Sequence, residues 1–191
     1  KKHHEFLRGI MRSAARLSYH QAQRAFDGNP DDDCRAIAKE TLAPLWTAYQ
    51  AMAAARDKRQ PLNLDLPERR VIIGEDGKVK SIAYRERLES MRLIEEFMVQ
   101  ANVAAAETLE KARVPLIFRV HEHPSKEKLL AFSDFLRTVD IPFAKGQVVK
   151  PGTFNRILER AKNTTHTDVL NDVVLRTQAQ AVYSPDNIGH F

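Results

Sequence analysis

The chain has 191 residues, 43% hydrophobic and 29% charged, which suits one soluble globular domain, or one domain with an appendage, able to bury a sizeable core. No apolar run approaches the length of a bilayer span, and the basic start KKHHEFLRGIMRSAARL lacks a signal peptide's continuous apolar core, so a cytoplasmic protein with no membrane partner is expected. The single cysteine, Cys34, excludes an internal disulfide framework and a cysteine-rich zinc site, while a net charge of +5 with a pI near 9.4 favours a polyanionic partner.

The positive charge is uneven. Lys1 to Asp27 carries Lys1, Lys2, Arg8, Arg12, Arg16 and Arg24 against Glu5 and Asp27, and Lys145 to Lys162 carries Lys145, Lys150, Arg156, Arg160 and Lys162 against Glu159. Arg and Lys in two such stretches make nucleic acid the leading polyanion. From Glu5 to Phe26 the helical spacing of Phe6, Ile10, Ala14 and Leu17 predicts a helix that the turn-forming Asp27-Gly28-Asn29-Pro30 stops. Asp31, Asp32 and Asp33 follow. Three adjacent carboxylates invite a metal reading, but on an opening helix they point in different directions, and acidic residues there complement the helix dipole. A second helix is expected from near Cys34 to about Arg59, with a break before Pro44.

Pro61 opens PLNLDLPE, in which Leu62, Leu64 and Leu66 alternate with Asn63 and Asp65, an edge strand or strand-like lead-in. Arg69 to Ile73 and Lys78 to Tyr84 flank Gly74-Glu75-Asp76-Gly77, a hairpin signal. After it comes Leu88 to Arg113, the longest stretch with sustained helical periodicity. A strand from Leu116 to Val120 ends at His121-Glu122-His123-Pro124, and Ser125 starts a helix over Lys126 to Leu136. Ile141 to Phe143 and Gln147 to Val149 read as short extended pieces around Gly146. Helices over Gly152 to Lys162 and Thr167 to Ala181, the latter capped by Thr167 or Asp168, finish the regular structure. Helices joined by one hairpin and a few short strands make the class α+β.

In the long helix, at about 100° per residue, Leu88, Met91, Met98, Ala105 and Leu109 share a face that Ile94, Phe97, Ala101 and Ala104 widen. A helix with that much apolar circumference is expected to be mostly buried, with Glu89, Glu96, Gln100 and Glu107 towards water. Glu95 and Asn102, seven residues apart, break this division by projecting near the middle of the apolar face. A carboxylate there must be paired, protonated or wet. It either satisfies an arginine or loop amides, or faces a water-filled channel. Glutamate and asparagine together supply acceptors and donors suited to ribose hydroxyls and base edges.

Other constellations are weaker. His121 and His123 would share a face on a strand, as metal ligands can, but no third ligand has suitable spacing. Neither a P-loop nor GxGxxG, HExxH or GxSxG is present, and no local signature positions a Ser-His-Asp triad.

Six segments, in order, carry a resemblance: ARLSYHQAQRAFDG, PLWTAYQAM, LDLPE with the GEDGKV hairpin, RLIEEFMVQANVAAAE, PLIFRVHEHPS and LRTQAQAVYSPDNIGHF. The chain resembles the RNB catalytic domain of the ribonuclease II and ribonuclease R family, closer to the bacterial ribonuclease R type, along nearly its whole length. IEE-x-M-x-x-AN-x-x-AA and QA-x-Y-x-x-x-N-x-GHF are the specific motifs. The resemblance implies a helix-rich part of a domain that hydrolyses single-stranded RNA from the 3′ end to nucleoside 5′-monophosphates. The implied cofactor is magnesium, held by an aspartate cluster that precedes Lys1, while an arginine-bearing TSPIRRY motif follows Phe191; no small-molecule cofactor is implied.

Residues 1–191 are thus expected to be a partial catalytic domain with neither motif, and Asp31 to Asp33 do not stand in for the cluster. No catalytic or metal-binding residue is expected in this segment, which is expected to be inactive alone. The family glutamate that contacts the terminal nucleotides aligns with Glu95, and the aromatic that stacks on the last bases in ribonuclease II falls at Asn63, a departure from the pattern. Asn102 lies in the same helix motif and joins the substrate-binding set by helix geometry. A non-catalytic RNA-binding or protein-interaction module on the same scaffold is the alternative.

Overall fold

The computed structural model describes residues 3–66, 68–84, 86–144 and 149–189. The chain forms two compact units, one from residues 1–58 and 86–114 and the other from 59–85 and 115–191.

The first unit opens with a segment over residues 3–17 that has no regular secondary structure. The helix expected over Glu5 to Phe26 is shortened to α1, Tyr19–Phe26. Its start is fixed by a capping box: the Ser18 hydroxyl accepts from the Gln21 N–H at 3.2 Å, and the Gln21 side chain accepts from the Ser18 N–H at 2.9 Å. Upstream of Ser18 the helical spacing of Phe6 and Ile10 has nothing to pack on, and both side chains are exposed; a short isolated helix without a buried face is marginal. Gly28, at φ +87°, follows the helix end.

Asp31 caps α2, Asp32–Ile37, by accepting from the Cys34 N–H at 3.1 Å. Hydrogen bonding from Cys34 holds the Asp31 carboxyl below its ordinary value, and burial pushes the Cys34 thiol up. The expected break before Pro44 is instead a π-helical turn over Ala38–Leu42, which runs directly into α3, Ala43–Lys58. Proline has no N–H to give to the preceding turn, and the wider turn absorbs that gap without interrupting the helix. The long helix is α4, Glu89–Lys111. It packs on α1 and α3 around Leu93 and Tyr49, beside a Phe26–Trp46 stack with ring centres 4.5 Å apart.

In the second unit, β1 (Arg69–Ile73) and β2 (Val79–Tyr84) form the expected antiparallel hairpin. Gly77 at φ +74° makes its turn, and the side chains of Val71, Ile73, Val79 and Ile82 are exposed. The core lies among α5 (Lys126–Thr138), α6 (Pro151–Ala161) and α7 (Thr167–Thr177). Phe132, Leu136, Phe154, Ile157, Leu170 and Val174 fill it, with Leu62 and Leu64 against its edge.

The Pro61 lead-in, expected as an edge strand or strand-like, has no regular secondary structure over residues 61–66 and pairs with no strand among the described residues. Instead Asn63 N–H donates to Asn155 Oδ1 at 2.9 Å and Asp65 N–H to Asn171 Oδ1 at 2.8 Å. The expected α7 is shorter than predicted, and His166, not Thr167 or Asp168, precedes it, without a side-chain cap. Beyond the predicted helix, Val182–Ser184 form β4, antiparallel to β3, Phe118–Val120, a strand that was not predicted. Gln147 of the predicted extended piece lies outside the described residues. No described helix is long and apolar enough to cross a membrane.

Candidate functional site

The roll of α4 about its axis is set by polar anchors. Ser90 donates its hydroxyl to Tyr19 O at 2.8 Å and its N–H to the Gln23 Oε1 at 2.9 Å. Next to Ser90, the Tyr49 hydroxyl donates to Glu89 at 2.5 Å, while Arg92 reaches the other Glu89 oxygen at 2.8 Å. Burial, then the Glu89 carboxylate, pushes the Tyr49 hydroxyl up to about 12. Glu96 is also buried, its side chain 8% exposed, with Oε1 3.3 Å from Arg56 Nε on α3.

This corrects the expected facing. Glu96 was assigned to water and is buried; Ile94 and Met98 were assigned to the core and are exposed, Met98 by 60%. The buried positions of α4 are Ser90, Leu93, Glu96 and Ala104, so the helix is not mostly buried in this chain. Apolar residues on roughly two thirds of the circumference cannot say which arc meets a neighbour. The hydroxyl and carboxylates did, because each finds a hydrogen-bond partner on one side only.

With Glu96 held inward, Glu95 is turned about 100° away. Its side chain is 56% exposed, with Oε2 3.5 Å from Arg87 Nη2. The carboxylate therefore has an arginine partner and is exposed. Asn102 lies two turns further on, about 10.5 Å along the axis, and is exposed. Between the two run Met98 and Val99, exposed apolar side chains. The arc thus offers a carboxylate, an amide and apolar surface to whatever lies against it, the mixture that contacts sugar hydroxyls and base faces.

Asn63 belongs to the second unit. Its N–H is held by Asn155, whose Nδ2 donates in turn to Pro61 O at 2.8 Å, and its side chain is exposed. An asparagine offers hydrogen bonds there but no ring on which a base could stack.

The magnesium that the resemblance implies finds no fitting donor set. Among the described residues no three His, Cys, Asp or Glu side chains converge; Asp31 is committed to capping, and Asp32 pairs with Arg35. No step of chemistry is assigned to a metal here. The anchors Ser90, Glu96 and Arg56 are what the sequence reading missed. The serine interrupting the apolar heptad-like pattern at the start of α4 was the available signal.

The α+β architecture agrees with the comparisons to known proteins. The chain belongs to the RNB domain family, whose profile matches residues 1–191. Among curated relatives it is 33% identical to ribonuclease R of Vibrio cholerae over 193 residues, covering 100% of this chain and 23% of that protein. It is 30% identical to ribonuclease R of Escherichia coli over 190 residues, covering 98% and 23% respectively. A solved structure of Mycoplasma genitalium RNase R in complex with ribose-methylated single-stranded RNA matches with a TM-score of 0.78 at 25% identity, over 92% of this chain and 28% of that one. The chain therefore spans about a quarter of the length of these relatives.

Proposed function

We propose that this chain is a segment of a 3′-to-5′ exoribonuclease that hydrolyses single-stranded RNA to nucleoside 5′-monophosphates in the cytoplasm. It supplies scaffold and part of the substrate channel. Glu95 and Asn102 contact RNA from the exposed arc of α4, and Asn63 contacts it from the second unit by hydrogen bonding rather than stacking. Magnesium serves the complete enzyme through ligands outside residues 1–191, and no small-molecule cofactor is needed.

The observation that carries this reading is the combination of an inward-locked Glu96 with an outward Glu95 on the motif helix of an RNB domain. An exposed carboxylate on an apolar arc has no packing role of its own. The solved Mycoplasma genitalium RNase R in complex with single-stranded RNA supports RNA as the partner.

The test is Glu95→Ala in the complete enzyme. RNA affinity or turnover is expected to fall while the unfolding midpoint stays unchanged. A variant that unfolds more easily yet binds and degrades RNA normally would assign Glu95 to structure instead. The 191-residue chain alone, incubated with single-stranded RNA and magnesium, is expected to release no monophosphates; stepwise release would place the metal ligands within it.

A further inference from the structure

The second unit carries two adjoining clefts of about 580 and 1160 Å³, which share Leu62, His121 and Pro151 in their walls. Their charge is one-sided. Arg119, Lys128 and Arg176 border the smaller cleft, Arg59 and Lys150 the larger, and Glu122 is the one carboxylate among the lining residues. Arg176 is partly neutralised by Asp172 at 2.9 Å, and Lys128 Nζ is held by Gln178 O at 2.5 Å. Arg59, Arg119 and Lys150 are exposed and make no ion pair among the described residues. Three guanidinium or ammonium groups facing one depression repel each other, and an anion between them would relieve that.

The backbone adds to the same field. Helix α6 begins at Pro151 without a side-chain cap, and Pro151 and Gly152 lie in the cleft wall. The positive end of an 11-residue helix thus opens onto the groove that Arg59 and Lys150 border. The floor is aliphatic, from Leu62, Leu64 and Pro151, and neither cleft is lined by Phe, Tyr or Trp.

We infer that this groove of the second unit is a phosphate-tracking site for single-stranded RNA, gripped by Arg59, Arg119 and Lys150. The class of occupant follows from the lining. Cations bordering two adjoining clefts match the repeating charge of a phosphodiester backbone, and with no Phe, Tyr or Trp in the lining the imidazoles of His121 and His123 are the ring surfaces on offer. Binding here is therefore governed by phosphate charge more than by base identity and is strongly dependent on salt. The inference rests on the RNA reading above for the choice of RNA among polyanions.

The experiment uses the complete enzyme with Arg59→Gln, Arg119→Gln and Lys150→Gln combined, and measures affinity for long homopolymeric RNAs across a salt series. The plot of log affinity against log salt is expected to become shallower by about 2, from roughly 0.7 for each lost phosphate contact on a single strand. The loss is expected to be equal for different homopolymers. Glu122→Gln, which removes the groove's carboxylate, is expected to tighten binding and serves as the second variant should the triple one fail to fold.

A wild-type enzyme that binds no RNA sinks the functional reading itself. A wild type that binds and degrades RNA, with affinity and salt slope unchanged in the triple variant or in Glu122→Gln, overturns the groove alone. An acidic polypeptide such as polyglutamate competing as well as RNA does, only in the wild type, overturns the choice of occupant.

Discussion

Replacing Arg56 by methionine keeps most of its apolar stem and removes the charge that faces Glu96. The remaining carboxylate sits with its side chain 8% exposed, while Arg56 itself is 34% exposed. Removing one partner of a fully buried pair costs about 3 to 5 kcal/mol, and an exposed pair contributes about 1 kcal/mol or less. A pair buried on one side and wet on the other falls between, so Arg56→Met should destabilise the first unit by about 2 kcal/mol. For a cooperative unit of this size that is a midpoint shift of roughly 10 °C, read by circular dichroism at 222 nm.

The double variant Arg56→Met/Glu96→Met should recover most of the loss, since replacing both partners of such a pair with apolar groups is often near neutral. The cycle built from the two single variants and the double isolates the coupling. Two results would refute the reasoning: a single variant as stable as wild type, or a double variant as unstable as the singles. Either would mean that packing, not the ion pair, holds α4 in its roll.

Further predictions concern other parts of the chain. Phe154→Ala opens the centre of the α5–α7 core, where Phe154 is fully buried against Phe132 with ring centres 5.4 Å apart, and should cost about 3 to 5 kcal/mol in urea unfolding. Ser125→Ala removes the hydroxyl that accepts from the Lys128 N–H at 3.2 Å and should cost about 1 kcal/mol. Tyr49 has its hydroxyl raised from 10 to about 12 in the folded state, so its contribution to stability is complete below pH 10 and is lost as pH rises through about 12. Phenolate absorbance should show a component near pH 12 that Tyr49→Phe abolishes, and its persistence in that variant would contradict the assignment.

The legible parts of the fold were those with short-range causes. The hairpin over β1 and β2, the Ser125 start of α5 and the Asp31 cap each depend on residues within a few positions of one another, and each stands where the sequence placed it. Errors arose where a distant partner decides. Helical spacing at Phe6 and Ile10 predicted a helix over a stretch that is irregular, with both side chains exposed. Periodicity found the apolar arc of α4 and its interruption by Glu95 and Asn102. It could not find Arg56, which lies 40 residues upstream of Glu96 and decides which glutamate is turned inward. β4 was missed because a three-residue run, Val182–Ser184, is too short to signal a strand and becomes one only when β3 is beside it.

The first unit is not a continuous stretch of chain. Its last helix, α4, follows a 59–85 excursion that belongs to the second unit. During synthesis the residues of α1 and α3 leave the ribosome well before Leu93, the side chain they enclose, and Glu96, the group that Arg56 awaits. Domains emerging in order can begin to fold as they appear, but this unit has to wait until the hairpin has been made and α4 has followed it. Until then Trp46 and Tyr49 lack the helix they pack beside, and the nascent chain carries exposed aromatic surface for the time needed to add those intervening residues.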